Sequence, residues 1–278
     1  MPRAGQPPAS PERMAAWVRC GVREVIAATG QVPPEVRDLA AGADRVCVLT
    51  GAGMSAESGV PTFRDVQVGL WERFDPIGLA TPQAWERDPA QVWAWYSWRA
   101  SLVRRANPNA GHTALTQWQR RVGTELTIAT QNVDDLHERA GSTVLSHLHG
   151  SLFELRCADC ARPSDTAYET VPEPVAELEP PECGDCGGAV RPGVVWFGEE
   201  LPRAAFDRAV EAAQVADLVV VVGTSGLVHP AATLPHLAGS RGVPVLEINP
   251  QESQVSEAAT VAWRTTAATG LPALVASL

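Results

Sequence analysis

Four of the six cysteines, Cys157, Cys160, Cys183 and Cys186, stand as two C-x-x-C pairs about twenty residues apart. Thiolates in that layout are tetrahedral zinc ligands, and four of them close the coordination sphere, so the metal would be structural and leave no open position for chemistry. Paired redox thiols are the alternative, and a disulfide framework is the weaker reading in a chain with no export signal. A second constellation, Gly51-Ala52-Gly53-Met54-Ser55-Ala56, satisfies G-x-G-x-x-G/A, whose small residues let backbone N–H groups approach a pyrophosphate. The acidic residue that usually closes a second strand about twenty positions later is not evident, since Asp65, Glu72 and Asp75 fall in a stretch rich in Pro, Gly and aromatics. A dinucleotide should therefore bind unlike an ordinary dehydrogenase cofactor. Phe63 and Arg64 put an aromatic ring and a guanidinium in a loop beside that phosphate site.

His149 lies in His-Gly-Ser just after an expected strand, where an imidazole titrating near neutral pH can serve as general base for a ribose hydroxyl. A structural hydrogen-bonding role is the bland alternative, and His137 and His147 nearby show that histidine alone decides nothing. Gln131, Asn132 and Asp134 sit where a strand opens into a loop; they read as a capped turn or as ligand-binding groups. Gly223, Thr224 and Ser225 follow a run of four valines, where backbone amides can end a strand, hold phosphate, or both.

The elements that must position these residues are short apolar runs at Arg45–Thr50, 126–130, Leu218–Val222 and 243–248, which read as buried parallel strands. Each run ends in small or polar residues (Gly51, Gln131-Asn132, Gly223-Thr224-Ser225, Asn249), which is where open α/β sheets bind ligands. The expected fold is α/β, a doubly wound, mainly parallel Rossmann-like sheet with a smaller zinc-binding and helical domain. Its boundaries are an N-terminal extension over 1–40 and a Rossmann-like domain over 41–69, 107–151 and 192–278. A helical, tryptophan-rich insertion over 70–106 and a zinc-binding module over 152–191 make up the small domain. Within the extension, an amphipathic helix is expected around 11–28, broken by Val32-Pro33-Pro34.

A net charge of −10 over 278 residues argues against a nucleic-acid surface and mildly favours substrates that carry positive charge. No lysine occurs, so an enzyme acting on lysines could not act on itself. With no apolar run of roughly eighteen residues and no secretory start, the expectation is a cytoplasmic protein without membrane contact.

The stretch 51–64 resembles the signature of the sirtuin family. So do Thr130-Gln131-Asn132-Val133-Asp134, His147-Leu148-His149-Gly150, Gly223-Thr224-Ser225, Asn249 and the cysteine pairs, all in the family's order. The resemblance implies an enzyme that uses NAD as co-substrate, with zinc structural, to remove acyl groups from lysines of other proteins. The acyl oxygen would attack C1′ of the ribose, nicotinamide would leave, and the acyl group would end on ADP-ribose. His149 would be the base, Gln131 would orient the ribose, and Asn132 would hold a water and a ribose hydroxyl. Asp134 would bond the nicotinamide carboxamide, while Arg64 and Phe63 would orient phosphate and keep water from the reactive carbon. Together with Gly51, Ala52, Gly53, Ser55, Ala56, Gly223, Thr224, Ser225 and Asn249, Ala267 would complete the cofactor contacts on the adenine side. Val194, Val195, Trp196, Phe197, Gly198 and Glu199, with Gly226 and Leu227, resemble the segments that clamp an extended acyl-lysine peptide by strand addition.

Tyr96 and Arg99 are three apart and would share a helix face. Sirtuins of the desuccinylase and demalonylase type carry Tyr-x-x-Arg at the corresponding place, where it binds the distal carboxylate of succinyl-, malonyl- or glutaryl-lysine. Arginine suits this because its fork takes a carboxylate bidentately. A small Ala56 beneath the acyl chain would agree. Plain deacetylation, protein ADP-ribosylation and an inactive NAD-sensing module remain the competing readings. The chain departs from the family pattern at Asp135, His229 and Thr265.

Overall fold

The computed structural model describes residues 23–26, 31–61, 75–169 and 171–278. In chain order the elements are β1 (Arg23–Val25), α1 (Pro34–Ala41), β2 (Arg45–Thr50), α2 (Gly53–Ala56), α3 (Pro76–Leu79), α4 (Pro82–Arg87), α5 (Pro89–Arg105), α6 (Ala110–Gln119), β3 (Glu125–Thr130), α7 (Leu136–Arg139), β4 (Ser146–His147) and β5 (Gly150–Cys157). There follow β6 (Val190–Val194), α8 (Arg203–Val215), β7 (Leu218–Val222), α9 (Leu234–Ser240), β8 (Val245–Ile248), β9 (Val261–Trp263) and α10 (Ala267–Ser277).

Seven strands pair in parallel in the order β1-β9-β8-β7-β2-β3-β4. From β2 the chain winds outward through β3 and β4, then returns to β7 on the other side and winds outward again. The topological switch point therefore lies between β2 and β7, where open α/β sheets hold their ligands. Both faces are covered, as a parallel sheet requires. Along β2 and β7 the side chains alternate between two cores: Val46, Val48, Leu218, Val220 and Val222 pack with α1, α6 and α10, whereas Cys47, Leu49, Val219 and Val221 pack with α8 and α9. The period of two is invisible in an all-apolar run because each face meets its own helices.

The Trp-rich segment forms α5, capped by Asp88, whose side chain accepts from Gln91 N at 2.9 Å, and started by Pro89. Its tryptophans point to several sides because it is buried nearly all round. It shares one core with α4 and the antiparallel pair β5–β6, so the two interruptions of the α/β pattern pack into one lobe. The described part of the expected N-terminal helix is different: Arg23–Val25 is a strand, pairing with Val261–Trp263. Edge pairing to β9 supplies backbone partners that an isolated amphipathic turn there would lack. No helix among the described residues is long and apolar enough to cross a membrane.

Candidate active site

A cavity of about 700 Å³ opens where the C-terminal ends of β2, β3, β7 and β8 face the small lobe. That volume lies within the range of about 300–1,000 Å³ usual for small-molecule sites. Gly51, Gln131, Gly223, Thr224 and Asn249 line its sheet side, and Tyr96, Arg99 and 194–199 line the lobe side. Thr224 ties the strand ends together. Its hydroxyl accepts from Gln131 Nε2 at 3.2 Å, and its carbonyl accepts from Asn249 Nδ2 at 2.8 Å. The glycines of the β2 turn serve this crowding directly: a Cβ on Gly53 would stand 2.8 Å from Gly223 Cα, while Gly53 N donates to Gly223 O at 2.8 Å.

His149 sits between β4 and β5, and its Nδ1 lies 3.0 Å from the Gln131 carbonyl. A carbonyl only accepts, so Nδ1 carries the proton and Nε2 presents a lone pair. That Nε2 is buried, has no hydrogen-bond partner among the described residues and belongs to a cavity-lining residue. Burial pushes the pKa of His149 down, against the stabilising Gln131 carbonyl, so the ring is neutral near pH 7. Gly150 follows at φ +71, and a Cβ there would lie 2.1 Å from Gly193 O, so only glycine lets β5 close on β6 directly beside the histidine.

Asn132 and Asp134 are connected through Ser55: Asn132 Nδ2 donates to Ser55 Oγ at 3.1 Å, and the Ser55 hydroxyl bonds the Asp134 carboxylate. Burial raises the Asp134 pKa, opposed by the Leu136 N–H and Ser55. Behind this row, Asn132 N donates to Thr130 Oγ1 at 3.0 Å, Thr50 Oγ1 donates to Thr130 Oγ1 at 2.8 Å, and His137 Nε2 lies 3.1 Å from Thr50 Oγ1. The His137 ring packs edge-on against His112, centroids 4.9 Å apart.

On the lobe side Tyr96 and Arg99 are both buried and both line the cavity. The Arg99 guanidinium lies 5.0 Å from the Trp95 ring centroid, and burial lowers its pKa, opposed by Tyr96 and Asp134. Glu199, expected at the peptide, is engaged within the protein. Its carboxylate takes a fork from Arg191 at 2.6 and 3.0 Å and accepts from Trp196 N at 2.8 Å.

The four cysteines cluster away from the cavity, with sulfurs all within 4.8 Å of one another. Cys157 and Cys186 Sγ are 3.5 Å apart, and Cys160 and Cys183 Sγ 3.8 Å. Zinc–thiolate bonds of about 2.3 Å in a tetrahedron place sulfurs about 3.8 Å apart, whereas a disulfide needs about 2.05 Å. The N–H groups of Asp159 and Cys160 point at Cys157 Sγ (3.4 and 3.5 Å), as suits a thiolate held by a metal. The donor set fits structural zinc.

A model of the Sir2 family matches residues 51–230, which span the glycine turn, both cysteine pairs, His149 and Gly223-Thr224-Ser225. The chain belongs to the Sir2 family. It is 55% identical over 234 residues to a Mycobacterium tuberculosis protein named NAD-dependent protein deacylase, covering 84% of this chain and 98% of the relative. A crystal structure of a Sir2 homolog–NAD complex shares 42% identity at a TM-score of 0.81, covering 90% of this chain and 95% of that one. The structure of Sir2Tm bound to a propionylated peptide shares 29% identity at 0.71, covering 84% and 93%.

Apart from the four cysteines, the site residues expected from sequence in this Sir2 chain divide into three groups. Gly51, Ala52, Gly53, Ser55, Gln131, Asn132, Asp134, His149, Gly223, Thr224, Ser225, Asn249, Tyr96, Arg99, Val194, Val195, Trp196, Phe197, Gly198, Glu199 and Leu227 all line the one cavity. Ala56, Gly226 and Ala267 do not. Ala56 is exposed at the end of α2; Gly226 packs against Gln254 and Val255; Ala267 is buried at the start of α10 against Gly111. Phe63 and Arg64 lie outside the described residues. The cavity also has an apolar wall of Val60, Val103, Val133 and Leu152 and a rim of Gln251, Glu252, Ser253, Gln254 and Glu257, to which the sequence assigned no role. Val60 and Val133 fall inside the quoted motifs, whereas no motif marks Val103, Leu152 or the rim; the rim follows Asn249 in a segment anchored by buried Glu247, which accepts from Ser253, from Ser256 at 2.6 Å and from Arg264 at 2.9 Å.

Proposed function

We propose that this chain removes acyl groups from lysine side chains of other proteins with NAD as co-substrate, and that it favours acyl groups ending in a carboxylate, such as succinyl, malonyl and glutaryl. The observation that carries the reading is one cavity lined both by a neutral His149, whose Nε2 has no hydrogen-bond partner among the described residues, and by a buried phenol and guanidinium, Tyr96 and Arg99. The names of the relatives and the NAD-bound and peptide-bound family structures support the broader half of it.

When bound, NAD would supply an electrophilic ribose carbon: the acyl oxygen bonds to it as the bond to nicotinamide breaks, and one water is consumed as the amide C–N bond breaks, releasing the lysine amine and leaving the acyl group on ADP-ribose. The chain's part is positioning and proton movement. His149 Nε2 accepts a proton from a ribose hydroxyl, with Nδ1–H anchored on Gln131 O so that the base cannot rotate away. The row Asn132–Ser55–Asp134 offers an amide and a carboxylate with fixed directions for the ribose and the carboxamide. The turns at Gly51–Gly53 and Gly223–Ser225 line the cavity with small residues that let phosphate approach the backbone. Gly198 and Leu227, both lining the cavity, would hold the peptide, and the apolar wall of Val103, Val133 and Leu152 would flank the acyl chain.

Hydrogen bonds to a charged group contribute about 1.5–3 kcal/mol each, so Arg99→Met should lower kcat/KM on a succinyl-lysine peptide roughly 10- to 150-fold relative to an acetyl-lysine peptide. Assaying acetyl-, malonyl-, succinyl- and glutaryl-lysine peptides with NAD tests it. Equal losses on all four would leave only a plain deacylase.

A further inference from the structure

The contact between Trp196 and Tyr96 has a fixed direction. An indole N–H can only donate, so at 3.1 Å Trp196 Nε1 donates to Tyr96 Oη and the phenol oxygen accepts. That acceptance is the only hydrogen bond Tyr96 makes among the described residues. The phenol proton, kept out of the direction the indole occupies, is left to whatever enters the cavity that Tyr96 lines. Burial pushes Tyr96 ionisation up, so the phenol keeps its proton across the neutral range.

The donor is itself held rigidly. The Trp196 ring lies under the Arg191 guanidinium, 3.3 Å from the ring centroid, with Trp85 at 5.6 Å. Arg191 forks onto Glu199 at 2.6 and 3.0 Å, and the same carboxylate accepts from Trp196 N at 2.8 Å. Guanidinium, indole and carboxylate thus form a closed ring of contacts between β6 and the 196–199 turn, which leaves Nε1 one place to point. Phenylalanine would fill much the same space without an N–H.

We propose that Trp196 is a specificity-determining positioning residue: by donating to Tyr96 Oη it commits the phenol proton to the acyl cavity and so helps select acyl groups that end in an acceptor carboxylate. The inference rests on the reading of Tyr96 and Arg99 as the carboxylate-binding pair. A methyl-terminated acyl group has nothing for that proton, so the device acts on the choice between acyl groups and is separate from the His149 chemistry.

Steady-state kinetics on succinyl- and acetyl-lysine peptides with saturating NAD test the proposal. Trp196→Phe should lower kcat/KM on the succinyl peptide about tenfold more than on the acetyl peptide, with the extra loss in KM, because a misdirected phenol weakens binding of the carboxylate. Adding Trp196→Phe to Tyr96→Phe should cost little further selectivity, since both remove one interaction. Where Trp196→Phe does not fold, Arg191→Lys, which keeps a cation but gives up the fork on Glu199, should shift the ratio in the same direction. An unchanged succinyl-to-acetyl ratio in these variants, while Tyr96→Phe and Arg99→Met both lower it, overturns the role of Trp196 and leaves the carboxylate pair standing. An unchanged ratio in Tyr96→Phe and Arg99→Met as well overturns both.

Discussion

Lowering the pH from 7 to 5 should remove about 4 kcal/mol of folding stability through two histidines behind the site. Burial holds His137 down at about 3 and His112 at about 4, against an ordinary value of 6.5. Both folded-state values are depressed, so the unfolded chain binds more protons below 6.5 and stability falls as the pH falls through that value. Each unit of pH below it costs about 1.4 kcal/mol per group, giving about 2 kcal/mol each at pH 5. Against a typical total of about 5–15 kcal/mol that is a large loss. Of the titrating neighbours, His147, lowered by burial but raised overall by its 2.7 Å bond to Glu138, regains its full stabilising contribution as the pH falls below 6.5 and so offsets part of that loss, whereas depressed Glu138 keeps its own until the pH falls into the carboxylate range. His149, also depressed, adds to the loss. Urea unfolding at pH 7 and pH 5, read by tryptophan fluorescence, measures the difference. His137→Gln should reduce it by about 2 kcal/mol, whatever it does to stability at pH 7. A pH dependence identical in parent and variant would refute the assignment of that buried ring as neutral and proton-excluding.

Two further outcomes follow from the site. His149→Gln should lower kcat roughly 10²- to 10⁴-fold, and the parent's kcat/KM should lose activity only below pH 6.5, because burial depresses the base; a limb centred above 6.5 would assign the titration to another group. Complete metal removal should lower the melting temperature and loosen the lobe formed by α5, β5 and β6, since Cys157 and Cys183 belong to its core. Retained activity with an unchanged melting curve would contradict a structural metal.

The sheet was legible where apolar runs end in turn residues: Arg45–Thr50 and Leu218–Val222 are strands with the expected bounds, and 126–130 extends by one residue to Glu125. A strand set between two helical layers needs apolar residues on both faces, and nothing but such a run supplies them. The two strands at one end of the sheet, β1 and β9, escaped notice for the opposite reason. Arg23–Val25 and Val261–Trp263 are three residues each, too short to show a period, and the first gains its conformation only from pairing with the second. Among the expected site residues, those tied to local turns or to spacing come together in the structure: the glycine turns, Gln131 to Asp134 and His149 line the cavity, and the four cysteines cluster. Glu199 lines the cavity as expected, but a sequence does not reveal that Arg191, eight residues earlier, takes its carboxylate. Ala56 and Ala267 were misplaced because a small residue carries no sign of which way it faces.

Mass spectrometry of the reaction of NAD with a succinyl-lysine peptide tests the central claim most directly. The account predicts free nicotinamide, the unmodified lysine peptide and O-succinyl-ADP-ribose in equal amounts. ADP-ribose attached to a protein side chain with the succinyl-lysine intact, or NAD recovered unchanged, would contradict it.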